Sequence, residues 1–301
     1  MECLFSYSII IPHYNSSSLL NRMLKSIPER EDIQVIVVDD CSKAAEVSKL
    51  QSLQHTNLEL YLQSENHGAG YARNVGLDHT KGKWVLVVDA DDVFAENAFD
   101  VFDKYKDSSV DHIGFCIKCV DTNTLMPNGR KIVSDESVRR YLKNKNERAL
   151  NLYKYKNTVC WNKLVSIDLI RQNHIRFEDC MVNNDVFYAL QVGYYSKSMT
   201  VLGDELYYFT ENPESITHKK RSVEREFQFY LQVQKRNGFY WKMGLRHLPF
   251  YRHDILYLPY MLKKRGIRDT IEFFKLWWQR REERLEAQKA YLFVFENKSK
   301  P

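Results

Sequence analysis

The 301-residue chain contains no long apolar run. No stretch reaches the roughly 20 residues that a membrane-crossing helix needs, so no span is expected. Its N-terminus carries neither a basic segment nor a small-residue cleavage site. Its six cysteines (3, 41, 116, 119, 160 and 180) show no disulfide-framework spacing. Both absences point to a reducing, cytoplasmic setting. Cys116 and Cys119 make one C-x-x-C, but in a strand-like run they would face opposite sides, and no second pair accompanies them; a zinc site is not expected. No G-x-G-x-x-G follows the first apolar strand, which disfavours a dehydrogenase. No Gly/Arg-rich phosphate loop stands there either, which disfavours nucleotidyl transfer. No recognition motif accompanies the cations, so no nucleic-acid partner is expected.

What is present begins with rhythm. Ser6–Pro12, Ile33–Val38, Leu58–Leu62 and Trp84–Val88 are short apolar runs. Between them lie segments with helical spacing, such as Leu19, Leu20, Met23, Leu24 and Ile27. Strand and helix in alternation predict an α/β fold with a parallel, doubly wound sheet. Beyond Asp92 the rhythm changes. His112–Val120 and Lys131–Val133 flank Pro127-Asn128-Gly129 as a hairpin would. Helices are expected near Ala95 and over 135–145, 166–172 and 184–194, with short strands at 161–165 and 206–209. From Val223 the pattern is helical, with breaks expected at Gly238, Gly244, Pro249, Pro259 and Gly266.

The fourth apolar run ends in Asp89-Ala90-Asp91-Asp92. A helix cap needs one carboxylate, not three that repel one another. Ligands of open α/β sheets bind beyond the carboxyl ends of the strands, and an acidic D-x-D there suits a hard divalent cation and the diphosphate it would hold. The other strands end in Pro12-His13-Tyr14-Asn15, in Asp39-Asp40-Cys41-Ser42, and in Asn66-His67-Gly68 leading to Ala72-Arg73-Asn74. Singly, each is explained as a cap, a turn or a solvated face. Parallel strands would deliver all of them to one edge. A carboxylate and an Arg can read the N–H and carbonyls of uracil, and Tyr14 can stack on the ring.

S-I-I-I-P-H-Y-N, V-V-D-D-x-S, N-x-G-x-x-x-A-R-N-x-G and V-D-A-D-D, in this order, resemble the inverting nucleotide-sugar glycosyltransferases of family 2 with the GT-A fold. The resemblance implies a doubly wound, mixed but mainly parallel sheet flanked by helices, with a helical appendage. It implies a catalytic domain over 1–220, divided into a nucleotide-binding half (1–95) and an acceptor half (96–220). A UDP-sugar donor, a glycan or lipid-linked glycan acceptor and Mn²⁺ or Mg²⁺ come with it. By the same resemblance Tyr14, Asp40 and Arg73 contact uracil and Asp39 supports that pocket. Pro12, Asn66, Gly68, Asp89 and Ala90 complete the nucleotide site, and Asp91 serves the metal. His218, in a segment that closes the core, is a second candidate metal ligand or a plain surface histidine. The family's base is the Asp of a Glu-Asp pair opening a helix. Here Asn184-Asp185 matches by position, so Asp185 is the expected base; Glu178-Asp179 is an intact pair that makes Asp179 the rival. The Asn at 184 also keeps open a protein that binds nucleotide sugar without turnover.

Residues 221–301 lie outside the resemblance and differ in kind. They hold 18 Lys/Arg against 9 Asp/Glu, and 17 of the 40 aromatic residues. Phe273, Phe274, Trp277 and Trp278 fall at i, i+1, i+4 and i+5, which predicts one aromatic helix face near Arg280, Arg281 and Arg284. Such a face suits an anionic membrane surface, at the inner face of the cytoplasmic membrane. Aromatics at helical spacing are more often core, so a helical bundle packed on the catalytic domain or on the second subunit of a homodimer is the competing expectation.

Overall fold

The structure, a computed structural model, describes residues 4–211, 221–245 and 254–289. The chain forms two compact units, one of Met1–Asp179 with Asn184–Ser215, the other of Cys180–Asn183 with Ile216–Pro301. In the first, β1 (Phe5–His13), α1 (Ser17–Lys25), β2 (Ile33–Asp39), α2 (Ala44–Gln51), β3 (Leu58–Leu62), α3 (Ala69–Asp78) and β4 (Gly82–Val87) alternate as expected. These four strands are parallel, in the order β3-β2-β1-β4. All seven residues of β2 are buried, which is how a strand covered by helices on both faces reads in sequence. The order reverses at β1, whose two neighbours are β2 and β4. That reversal opens a crevice at the carboxyl ends, where a ligand site of this architecture belongs.

The rest of the unit extends the sheet. It comprises β5 (Val93–Phe94), α4 (Ala98–Asp103), β6 (His112–Asp121), α5 (Val133–Asn144), α6 (Glu147–Lys156), β7 (Lys163–Ser166), α7 (Ile167–Gln172), α8 (Asp185–Tyr195) and β8 (Met199–Glu211). The eight strands run β3-β2-β1-β4-β7-β6-β8-β5. Strand β7 is antiparallel to β4 and β6, β8 is parallel to β6, and β5 is antiparallel to β8. The sheet is therefore mixed and mostly parallel. One buried cluster fills it, with Trp84, Tyr7, Phe102, Phe115 and Tyr207 among its largest side chains.

Three local expectations change. The hairpin does not form: Val120 bridges Pro127 alone, and Val133 opens α5. Asp121 takes the N–H groups of Asn123 and Thr124, closing a tight turn before any ladder can start, and Pro127 has no N–H to give one. The helix expected near Ala95 begins at Ala98, because Val93 and Phe94 pair with Tyr208 and Tyr207 far along the chain. Helix α6, absent from the pattern reading, is capped by Asn146, whose side chain accepts from Ala149 N–H at 2.9 Å.

The second unit is helical: α9 (Val223–Lys242), α10 (Asp254–Arg265), α11 (Ile267–Gln279) and α12 (Arg281–Lys289). Breaks occur at Gly244 and Gly266, both at positive φ. Gly238 and Pro259 do not break the chain but lie inside α9 and α10. A Gly costs a helix interior only about 1 kcal/mol, which tertiary packing outweighs. Pro249 falls outside the described residues. The four rings expected on one face of α11 separate: Phe273 is fully buried, Phe274 and Trp277 are partly buried, and Trp278 is exposed. Among the described residues no helix is long and apolar enough to cross a membrane.

Candidate active site

At the carboxyl edge, β1 and β2 pair in register down to His13 opposite Asp39. The His13 ring is buried and its Nδ1 lies 2.7 Å from Asp39 Oδ1. Ser16 N–H donates to Nε2 at 3.0 Å, so Nε2 carries the lone pair and Nδ1 holds the proton given to Asp39. Asp39 also accepts from Ser42 N–H (2.9 Å) and Ser42 Oγ–H (2.5 Å). Asn15, at φ 51°, joins the two loops: its N–H donates to Ser42 Oγ and its side-chain carbonyl accepts from Lys43 N–H. Tyr14 projects between these fixed points, half exposed.

Asp40 is buried and faces the third loop. Its two oxygens accept the N–H groups of His67 (2.9 Å) and Gly68 (2.7 Å), and its backbone carbonyl accepts from Asn66 Nδ2. Gly68 has φ 91°, a backbone state that side chains rarely adopt, and from it α3 starts. Gly70, the second residue of α3, has no room for a side chain: a Cβ there would lie 2.1 Å from the Glu178 carbonyl oxygen and 2.8 Å from Asn184 Cβ. The start of α3 is thus pressed against the segment that leads into α8.

Two residues of α3 hold that segment. Asn74 donates to Phe177 O and accepts from Phe177 N–H, both at 2.9 Å. Arg73, buried over the Phe177 ring, reaches in two directions: Nη2 donates to Asp89 Oδ1 and Nη1 to Asn184 Oδ1, each at 2.6 Å. Its guanidinium thereby ties the first carboxylate of the D-x-D to the residue before Asp185. Burial raises the Asp185 carboxyl above the usual carboxylate range; the charges of Arg73 and, more weakly, Lys163 oppose that shift, and Asp89 adds to it. Lys163 is buried with its ammonium on the carbonyls of Asn157 and Val159, and burial pushes it down to about 8. Asp179, by contrast, is exposed.

The acidic turn after β4 divides its labour. Asp92 is buried and accepts from Tyr207 O–H (2.7 Å) and Thr210 N–H (2.6 Å), so it anchors the turn to β8. The Tyr207 phenolic oxygen, Oη, also accepts from Asp89 N–H. The Asp91 backbone carbonyl is held by Arg22 Nη2 and Thr210 Oγ1. Burial, then the like charge of Asp89, raises the Asp91 carboxyl to about 6.

A profile described as glycosyl transferase family 2 matches residues 8–171, more than half of the chain. The chain belongs to glycosyl transferase family 2. It is similar to the uncharacterized glycosyltransferase EpsJ of Bacillus subtilis, 23% identical over 249 residues that cover 79% of this chain and 70% of EpsJ. Of several other curated relatives it spans about a third of the length or less. Among solved structures it resembles Staphylococcus aureus TarS 1–349 in complex with UDP-GlcNAc, with a TM-score of 0.61, 19% identity and coverage of 96% of this chain and 81% of that one. It also resembles the mannosyltransferase PcManGT of Pyrobaculum calidifontis in complex with GDP-Man and Mn²⁺, with a TM-score of 0.52, 16% identity and coverage of 96% and 85%. The mixed, mostly parallel sheet is that GT-A fold.

In this glycosyltransferase the expected residues gather as follows. Pro12 and Asp39 lie at the ends of the paired strands β1 and β2, and Tyr14 and Asp40 just beyond them; Asn66 and Gly68 are hydrogen-bonded to Asp40; Asp89, Ala90 and Asp91 follow β4, whose neighbour is β1. Arg73 and Asp185 meet the Asp89 end. His218 lies outside the described residues. Among the described residues no three His, Cys, Asp or Glu side chains cluster as a metal cage. A Mg²⁺-like cation is held by one or two carboxylates together with substrate phosphates, and the crowded Asp89 and Asp91 fit that donor set. His13, Ser42 and Asn74 stand in the strand-end motifs but had no role assigned there, and the supporting roles of Tyr207, Thr210 and Arg22 carried no sequence signal. Apart from Ser42 on Asp39 and Ser16 on His13, their partners are distant in sequence, and only the tertiary structure discloses them.

Proposed function

We propose that this glycosyltransferase moves a sugar from a UDP-sugar to a hydroxyl of a glycan or lipid-linked glycan, with inversion, by a single displacement. The observation that carries this reading is the Arg73 bridge, which puts Asp185 beside the acidic turn at the sheet's carboxyl edge. The acceptor oxygen attacks the anomeric carbon as the bond from that carbon to the diphosphate oxygen breaks. The hydroxyl proton passes to the Asp185 carboxylate, and UDP leaves. Desolvation makes Asp185 a stronger base than an ordinary carboxylate, which suits proton transfer near neutral pH. One displacement needs no second carboxylate nucleophile. Asp91, with Asp89, would hold Mn²⁺ or Mg²⁺, which when bound supplies positive charge to the departing diphosphate. Asp40, Tyr14 and Arg73 are assigned to the uracil side of the site.

A uridine donor is supported by the TarS complex, and a bacterial polymer acceptor by the activity of TarS, a poly(ribitol-phosphate) β-N-acetylglucosaminyltransferase. UDP release measured over a panel of UDP-sugars with Mn²⁺, beside calorimetric UDP binding, tests the reading. Asp185→Asn should bind UDP as wild type does and lose turnover, whereas Asp179→Asn should keep both. The opposite pair of results would move the base to Asp179. UDP binding without release from any donor would make the protein a binder.

A further inference from the structure

The second unit has its own core. Val223, Phe227, Tyr230, Tyr257, Met261 and Phe273 pack together. Trp277 is drawn towards them, its Nε1–H on Tyr230 Oη at 3.1 Å and the Arg284 guanidinium 3.4 Å above its ring. One side of α11 is thereby used. The other side is not bland. Ile267 is 70% exposed, Ile271 54% and Trp278 77%. At about 100° per residue these three lie within roughly 40° of one another, in a stripe about 17 Å long. Partly buried Phe274 borders it.

The charges around the stripe are arranged with it. Arg268 and Lys275, both exposed, run along one flank, and exposed Lys263 and Lys264 precede α11 across Gly266. From 263 to 281 there are seven Lys/Arg and two acidic residues, Asp269 and Glu272. Asp269 pairs with Arg265 at 3.3 Å, which leaves Glu272 as the acidic side chain beyond the Arg268–Lys275 flank. Isolated exposed apolar residues are ordinary, but an aligned Trp and two Ile rimmed by cations are not. A two-fold contact between copies of this chain would bring those cations against their own kind. A surface of anionic lipid headgroups satisfies both halves of the pattern.

We propose that this face of α11 docks the enzyme on an anionic bilayer. The helix lies in the plane of the membrane, with Ile267, Ile271 and Trp278 at the acyl boundary and Lys263, Lys264, Arg268 and Lys275 on lipid phosphates. The test is co-sedimentation of the full chain with vesicles of phosphatidylcholine alone or with phosphatidylglycerol, at low and high salt. Binding should require phosphatidylglycerol and fall with salt. Replacing the four cations by Gln should cut partitioning at least a hundredfold, each cation contributing about fivefold. Ile271→Ser with Trp278→Ser should abolish binding and leave melting unchanged, because neither side chain is in the core. Trp277→Ala should lower the melting temperature, which separates core damage from lost docking. The proposal is overturned if anionic vesicles do not pellet the wild type, or if the serine pair pellets as wild type does. It is also overturned if the wild type is a dimer that the serine pair makes monomeric without any lipid binding, since the occupant is then a second copy.

Discussion

Gly70→Ala should disable turnover while leaving most of the fold intact. The added Cβ would stand 2.1 Å from the Glu178 carbonyl oxygen, whereas real Cβ contacts essentially never fall below 3.0 Å. The start of α3 and the 178–184 segment must therefore part by nearly an ångström, since the opposing atom is backbone and cannot rotate away. The same gap is spanned by the 2.6 Å bond from Arg73 to Asn184, and Asp185 follows directly. A misplacement of about 1 Å in a reacting group costs on the order of a hundredfold in rate. Stability shifts less. Overpacking costs about 1–3 kcal/mol, and Ala over Gly in a helix returns about 1 kcal/mol. The net loss of about 0–2 kcal/mol lowers the melting temperature of a unit this size by no more than about 8 °C. UDP release with the donor found by the panel, beside thermal unfolding, measures both. Gly203→Ala is the control, because its Cβ meets only Leu142 Cδ1 at 3.8 Å and should change neither. Wild-type turnover in Gly70→Ala would refute the placement of the base in the segment that α3 presses upon.

Asp91→Asn should abolish Mn²⁺-dependent UDP binding and raise the melting temperature without ligand, because a carboxylate repelled by Asp89 is removed; retained activity at saturating donor would sink the metal assignment. Asn74→Ala removes both bonds to the Phe177 backbone and should cost about 1–3 kcal/mol in denaturant melts, with turnover falling more than UDP affinity; equal losses of the two would argue against a role in placing α8. The acid limb of kcat against pH should lie above the ordinary carboxylate range, since Asp185 must be ionised to accept a proton, and it should vanish from the residual rate of Asp185→Asn. For stability the sign is opposite. A carboxyl raised in the fold binds its proton more tightly than in the unfolded chain, so its favourable contribution is complete below about 3.8 and is lost as pH rises through the raised value.

Much of this architecture is local and was legible in the chain itself. Ile33–Val38 is apolar but for Gln34 because β2 is covered on both faces, Leu58–Leu62 is a part-buried edge strand that admits Glu59, and Asp39, Gly68 and Asp89 follow where such runs stop. Parallel pairing then leaves the strand ends at one edge, so the motifs could be assigned to one site from order alone. What pairs with what across that edge was decided by tertiary structure. Nothing in P-H-Y-N says that His13 gives its proton to Asp39, since the bond exists only through the register of β1 on β2. Arg73 is held by Asp89 and Asn184, residues 16 and 111 positions away, partners that no local motif names. Asp92 looked like part of the metal motif and is instead the anchor of β8, whose 13-residue length no local alternation disclosed. The aromatic tail divides for the same reason. Sequence fixes which rings share a helix turn, but which side of α11 faces a core depends on where α9 and α10 lie. That choice buried Phe273 and left Trp278 in water.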